Sequence, residues 1–237
     1  MHKELKDRTV LVIGRGSGIA RAVVSAVREA GATVVTASRN RDGLVAAYGD
    51  ELTLETVDVT DEASVAGLAE RLGHVDHVVS TASARARGAL GDLQATAVLQ
   101  SLSTKVLGPI LLAKHFAPRM PQAGSFVFFS GATARKPVPG MLAVAATNGG
   151  VDAVTRALAV ELAPLRVNAV APGTVDSGAY DALGEQKKAE LFAARSARNP
   201  AGRIGKPDDA ARAVVYALTN TFTTGTTLAV DGGEVLV

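Results

Sequence analysis

Thr9-Val10-Leu11-Val12-Ile13 runs straight into Gly14-Arg15-Gly16-Ser17-Gly18-Ile19-Ala20: a short apolar, β-branched run, then three glycines, then a helical pattern that lasts to Glu29. An apolar run of this length reads as a buried strand. Glycines between a strand and a helix let backbone amides approach an anion closely, and the helix N-terminus then faces that anion. Glycines alone also build ordinary turns. Their position after a buried strand favours a pyrophosphate cradle made by Gly14, Arg15, Gly16, Ser17, Gly18 and Ile19.

Outward from this unit the same alternation repeats. Thr33–Ala37, Thr53–Val57, His77–Thr81, Ser125–Phe129, Arg166–Val170 and Thr227–Val230 read as further strands, rich in β-branched and aromatic residues and with little polar alternation. Such runs suit parallel strands covered on both faces. Ile19–Glu29, Asp61–Leu72, Asp92–Phe116, Leu142–Leu162 and Asp208–Leu218 read as helices. Asp61 and Glu62 sit where a first helical turn favours acids, Pro207-Asp208-Asp209 does the same for the last helix, and Gly31 stops the first. Strand–helix–strand repetition means right-handed crossovers, so the expected fold is α/β: a Rossmann-like, doubly wound parallel sheet of about seven strands with helices on both faces. No linker-like segment divides residues 1–237, and they are expected to form a single dinucleotide-binding domain. Ligands in such sheets bind at the carboxyl ends of the strands.

Composition narrows the function. The formal charge is only +2, with Lys and Arg dispersed, no Trp and 4% aromatics, which offers little to a nucleic acid. Without cysteine there is no disulfide, thiolate metal site or Cys nucleophile. His2, His74, His77 and His115 lack metal-ligand spacing and are expected to be surface or structural residues. The charged N-terminus does not read as a signal peptide, and no uncharged apolar run approaches the roughly 18 residues that span a bilayer. A cytoplasmic protein without a membrane or nucleic-acid partner is expected.

At the end of the second strand an NAD-selective site carries an acid for the ribose hydroxyl. Here Ser38 takes that place and Arg39 follows, a pairing that suits the 2′-phosphate of NADP(H), with Arg15 able to assist. Together with the glycine loop, these residues resemble the short-chain dehydrogenase/reductase family, whose fingerprint is Thr-Gly-x-x-x-Gly-x-Gly. Gly14 and Gly18 match its first two glycines, while Ile13 replaces the Thr and Ala20 the last Gly. By resemblance Asp58 and Val59 contact adenine, and Ala82 lies in the loop after strand four, where "VSTAS" replaces Asn-Asn-Ala-Gly. "VNAVAPGTVDS" is similar to the segment after strand six, which implies that Pro172, Gly173, Val175 and Ser177 line the nicotinamide pocket. The likeness runs from the glycine loop to "TGTTLAVDGG" and implies a homo-oligomer, a tetramer above all, joined through long helices and the C-terminal segment. Leu142–Leu162, apolar at Ala143, Val144, Val151, Val154, Leu158 and Leu162, exceeds what one core face requires.

Most family members carry Asn, Ser, Tyr and Lys as catalytic residues. In this chain those four positions hold Lys105, Gly131, Val144 and Asn148. Valine cannot transfer a proton, so the usual mechanism is not available. Lys and Asn have, however, exchanged places. Lys105 then reads either as a charge stabiliser or proton donor in the pocket, or as a structural tie to a carbonyl. The candidate catalytic set is Lys105, Ser130, Asn148 and Tyr180, with Asn148 also a candidate cofactor contact in place of the ribose-binding Lys. Arg85, Arg87 and Arg135 are candidates for binding an anionic small-molecule substrate. The expected activity is NADP(H)-dependent hydride transfer to or from a small carbonyl, imine or enone. Two other readings stay open: an NADP(H)-binding protein without turnover, as a redox sensor or inactive oligomer partner, and an enzyme of non-redox chemistry.

Overall fold

The computed structural model describes residues 3–237; His2 lies outside the described residues. All seven strands pair in parallel in one sheet, in the order β3-β2-β1-β4-β5-β6-β7. They are β1 Thr9–Ile13, β2 Thr33–Ser38, β3 Thr53–Thr56, β4 His77–Ser80, β5 Ser125–Phe129, β6 Arg166–Pro172 and β7 Thr227–Val230. The helices are α1 Gly18–Glu29, α2 Arg41–Tyr48, α3 Glu62–Leu72, α4 Ala95–Leu102, α5 Gly108–Phe116, α6 Leu142–Glu161, α7 Glu185–Arg198 and α8 Pro207–Thr219. The order reverses between β1 and β4, and their carboxyl ends open the crevice in which ligands of such sheets bind.

Each face of the sheet has its own core. On one, Val65 and Leu68 of α3, Leu111, Leu112 and Phe116 of α5, and Val151 and Leu158 of α6 pack on Leu11, Val78, Phe126, Phe128 and Val167. On the other, Val23, Val24 and Val27 of α1 and Val214 and Leu218 of α8 cover Val10, Val12, Val79, Val127 and Val170. Strands covered on both faces have no polar side to show, which explains their unalternating sequences. Arg166, although buried in β6, finds its partners at the end of α8, donating to the carbonyls of Ala217, Leu218 and Asn220 at 2.6, 2.8 and 3.0 Å.

Local signals explain the boundaries. The Asp61 carboxylate accepts from Ala63 N at 3.0 Å and so caps α3, rather than lying inside it. Gly31 follows the end of α1 with φ +98°, a conformation that glycine adopts without strain. Three sequence expectations are corrected. Helices α2 and α7 were not foreseen. The expected helix Asp92–Phe116 is broken into a 3₁₀ turn at Leu90–Asp92, α4, a π-helical turn at Ser103–Leu107, and α5. Most of the expected surplus apolar residues of α6 face inward: Ala143, Val144, Val151 and Leu158 are buried, while its exposed large apolar side chains are Leu142 and Val160. By length and composition alone the run Ala95–Arg119 is apolar enough to cross a membrane, but Leu111, Leu112 and Phe116 on it belong to the core.

Candidate functional site

The glycine loop is tight enough to require its glycines. A Cβ on Gly14 would run into the Thr81 hydroxyl, and one on Gly16 into Ala47 of α2. Gly18 has φ +57°, and a Cβ there would strike the backbone oxygen of Ser177. The cradle is thus walled by the loop after β4, by α2, and by the loop after β6. Ser17 occupies the N-cap of α1 with no side-chain capping bond and no acid in the first turn, so the positive end of the helix faces the crevice uncompensated. Backbone amides, a helix terminus and the absence of a Cβ at Gly14, Gly16 and Gly18 fit a pyrophosphate. Ile19 packs partly against the core beneath.

At the end of β2 the Ser38 hydroxyl is occupied: it donates to Asn40 O at 2.8 Å and accepts from Asn40 N at 3.1 Å. Ser38 therefore shapes the turn into α2, where Asn40 accepts from Gly43 N as the cap. Arg39 stays exposed. Asp58 accepts from Thr60 N at 2.9 Å and from Thr60 Oγ1 at 2.7 Å. Burial raises its pKa, but these bonds and the nearby Arg39 outweigh that and hold it below the ordinary range. Val59 is buried against Gly108 at the start of α5, and Ala82 packs partly on the core. On the other side Gly173 N donates to Val230 O at 3.1 Å, Val175 is buried beside Gly205, and Ser177 N donates to Val175 O at 3.0 Å. Pro172 is the last residue of β6.

Lys105, Gly131 and Asn148, three of the four candidate positions, fit together. Lys105, 6% exposed, extends from the π-turn and donates to the side-chain oxygen of Asn148, with Ser130 O at 3.4 Å. Asn148, 3% exposed, points its amide nitrogen at Thr133 Oγ1, 2.7 Å away, which fixes which end of the amide meets the lysine. A Cβ on Gly131 would lie 2.7 Å from that same nitrogen. Gly131 therefore makes room for Asn148. Lys105, Asn148 and Gly131 thus form one arrangement. Val144, a turn before Asn148 on α6, is buried. Burial above all, and then Arg85, pull the Lys105 pKa down to about 7 against the opposing charge of Asp152. Enclosure of a cation in a low-dielectric site has this direction.

Other sequence candidates divide. Ser130 belongs to the cluster through its carbonyl, since its hydroxyl is committed to Asn148 O at 3.0 Å. Tyr180 lies in the segment leading to α7, edge-on to Phe192 at 5.5 Å, and its hydroxyl takes a bond from Arg195 at 3.3 Å. Arg195 also holds Thr174, whose backbone and hydroxyl bind Glu234. Arg135 turns away, donating to Thr227 O at 3.2 Å. Thr133 was missed; a hydroxyl two residues beyond the family's Ser position was its only signal.

A family model described as enoyl-(acyl carrier protein) reductase matches residues 13–234. A short-chain dehydrogenase/reductase of Stachybotrys chlorohalonatus is 33% identical, covering 98% of each chain. An inactive 2-(S)-hydroxypropyl-CoM dehydrogenase of Xanthobacter autotrophicus is 34% identical over 74% of this chain and 82% of its own length. Among solved structures, an NADPH-bound short-chain oxidoreductase from Pseudomonas aeruginosa PAO1, described as containing an atypical catalytic centre, is 31% identical, with a TM-score of 0.89 and 97% of each chain covered.

Proposed function

The chain belongs to the short-chain dehydrogenase/reductase family, and on that premise we propose that it is an NADP(H)-dependent oxidoreductase acting on a small carbonyl, imine or enone, with Lys105 handling the proton. The single observation that carries this reading is the enclosed Lys105, held by Asn148 and set near neutrality in its titration. Bound NADP(H) supplies or accepts the hydride.

The chain's own residues do the rest. The Gly14–Gly18 loop and the α1 terminus hold the pyrophosphate, and Arg39, without a carboxylate in hydrogen-bonding contact, meets the 2′-phosphate. As a neutral amine, Lys105 has two N–H groups, matched by Asn148 Oδ1 and Ser130 O, and a lone pair left over. That lone pair can take a proton from a substrate hydroxyl. As an ammonium it keeps the same two bonds and gains a third N–H, which it can deliver to a developing alkoxide or amide anion. A group whose pKa lies near the working pH serves both directions. Asn148 and Thr133 are positioning residues that hold the amine in place. NADPH-bound and atypical-centre descriptions of the Pseudomonas structure support the cofactor and the altered site.

A second reading has its own observation. Lys105 is already committed to two protein acceptors, and one relative is described as inactive. In this reading the protein binds NADP(H) without turnover. NADPH oxidation followed over a panel of carbonyls, imines and enones separates the two: consumption above the cofactor-only rate supports the enzyme, and tight NADPH binding with no consumption supports the sensor.

A further inference from the structure

The hydrogen bonds that join Lys105 to Asn148 do not stop there. Lys105 donates to the amide oxygen, so the amide nitrogen faces the other way and donates to Thr133 Oγ1 at 2.7 Å. An amide nitrogen only donates, so the Thr133 oxygen must accept, and its own proton is left to be given elsewhere. Among the described residues Thr133 donates that proton to no acceptor.

The other hydroxyls about the pair are committed. Ser130 donates to Asn148 O at 3.0 Å and Thr147 to Val144 O at 3.1 Å, and both are buried. The Tyr180 phenol is held by Arg195 of α7 and makes no hydrogen bond to Lys105 or Asn148. Thr133, by contrast, is partly exposed. It stands on the 3₁₀ turn Ala132–Ala134 that follows β5, at the carboxyl edge of the sheet where ligands of such folds bind. The enclosed network thus reaches solvent at the one hydroxyl that still has a proton to give.

The bonds also run in one direction. Lys105 donates to an amide oxygen, and that amide donates to a hydroxyl oxygen, so the hydroxyl is the donor end of a chain whose head is a cation. Bonds in such a series polarise one another, each strengthened by about 10–30%. Enclosure of Lys105 and Asn148 keeps water from competing along the way. A hydroxyl at the end of this chain is a stronger donor than one that stands alone.

We infer that Thr133 is a catalytic residue: its hydroxyl donates to the substrate oxygen on which negative charge grows as the carbonyl carbon takes the hydride. Donors aimed at developing charge act in this way. Thr133 keeps its proton throughout, and the proton that completes the alcohol comes from Lys105. In oxidation the same bond holds the substrate hydroxyl by a lone pair and leaves its proton to Lys105. This assignment rests on the reading of Lys105 as the proton-handling group.

The test compares Thr133→Val, which keeps the branched shape and removes the hydroxyl, with Thr133→Ser, which keeps the hydroxyl. In NADPH oxidation over the carbonyl panel, Thr133→Val should lose roughly a hundredfold or more in kcat, the scale of one lost oxyanion donor. Its NADPH affinity should stay unchanged, which also reports that it is folded; if it is not, Thr133→Ala removes the same hydroxyl. A second readout needs no turnover. Dimethylaminobenzylideneacetone is a conjugated enone whose absorption band moves to longer wavelength when its carbonyl oxygen accepts a hydrogen bond. Bound to NADP+-saturated protein, it should show that shift in the unmodified protein and in Thr133→Ser, and lose it in Thr133→Val. A purely structural Thr133 would lower stability and leave the band in place, which overturns the inference. So does a Thr133→Val variant that turns over as the unmodified protein does, an enone that fails to bind, or a loss of NADPH affinity matching the loss of kcat. A Thr133-dependent band in a protein that never consumes NADPH refutes the enzyme reading and leaves the contact between Thr133 and the substrate oxygen standing.

Discussion

The amide nitrogen of Asn148 occupies the space that any side chain on Gly131 would need, 2.7 Å from where a Cβ would stand. Asn148 thus takes its place against a residue without a side chain. Asn148 then faces Lys105 with its oxygen and Thr133 with its nitrogen, so two hydrogen bonds and one steric vacancy define a single arrangement.

Gly131→Ser is expected to damage the site. The added Cβ must displace Asn148, a buried overpacking of the kind that costs about 1–3 kcal/mol, and turnover should fall with it. Urea unfolding beside an NADPH-oxidation assay reads both. Unchanged stability together with unchanged or higher activity would show that Asn148 has room to move.

Lys105→Met should lower turnover by roughly ten- to a thousandfold, the range for a lost acid or charge stabiliser, with NADPH affinity nearly intact. The pH profile adds a signature. With a pKa of about 7, the ammonium needed to protonate a substrate is depleted as pH rises through 7, so reduction slows there. The free amine needed for oxidation is depleted as pH falls through the same value. A reduction profile flat from pH 6 to 8 in the unmodified protein would remove Lys105 from the proton path.

Arg39→Ala should weaken NADPH binding by about tenfold or more, the loss of a bidentate phosphate contact, and leave NADH binding unchanged. Calorimetry with both cofactors checks it. Equal affinity of the unmodified protein for NADH and NADPH would count against Arg39 as the selector.

His77 predicts an acid limit to stability. It is buried, Nδ1 lies 2.8 Å from Ser125 Oγ, and burial lowers its pKa to about 4, against a partial counter-effect from Asp76. The folded value is depressed, so between about 4 and 6.5 the unfolded chain binds the extra proton. Stability is therefore complete above about 6.5 and falls as pH drops toward 4, by on the order of 3 kcal/mol from this group. His77→Gln should flatten that fall relative to the unmodified protein, which isolates it from carboxylates titrating in the same range. Parallel curves for the two proteins would refute it.

Assembly into a homotetramer should show as about four times the chain mass by light scattering at micromolar concentration. Leu99, 62% exposed on α4, Leu107 and Ile110 beyond it, and Val160, 82% exposed on α6, leave apolar surface for another copy to cover. A monomeric mass would contradict it.

The sheet was legible because buried parallel strands need apolar, β-branched runs, and this chain places all seven where such runs occur. Helix α7 was not, for a physical reason: none of its residues is buried, so "EQKKAELFAARSAR" has no core stripe to betray it. Helix α2 buries only Leu44, and its cap at Asn40 was the one available sign. In the site, Lys105 and Asn148 stood out as an exchanged pair, but Gly131 read only as a loss. A vacancy acquires meaning from the atom that enters it, and the sequence does not say that Asn148 does. The hydroxyls of Ser38 and Ser130 looked free for the same reason, since their acceptors are backbone carbonyls with no signature in composition.

The π-turn at Ser103–Leu107 makes the long helical run a splice of two helices that are out of phase. Each residue advances an α-helix by about 100°, and a π-turn holds one residue more than an α-helical path between the same ends. The face before the turn is indexed from the loop after β4, where Ser101 grips Ala84, and the face after it is indexed from the sheet, where Leu111 and Leu112 are packed. Lys105 sits at the seam. Deleting a single residue there would let an α-helical path join the same two ends, leaving both halves on the faces they already pack, while the residues at the seam shift by about 100° around the axis and carry the cation away from Asn148. The Lys105–Asn148 pair is held by a count of residues as much as by their identities.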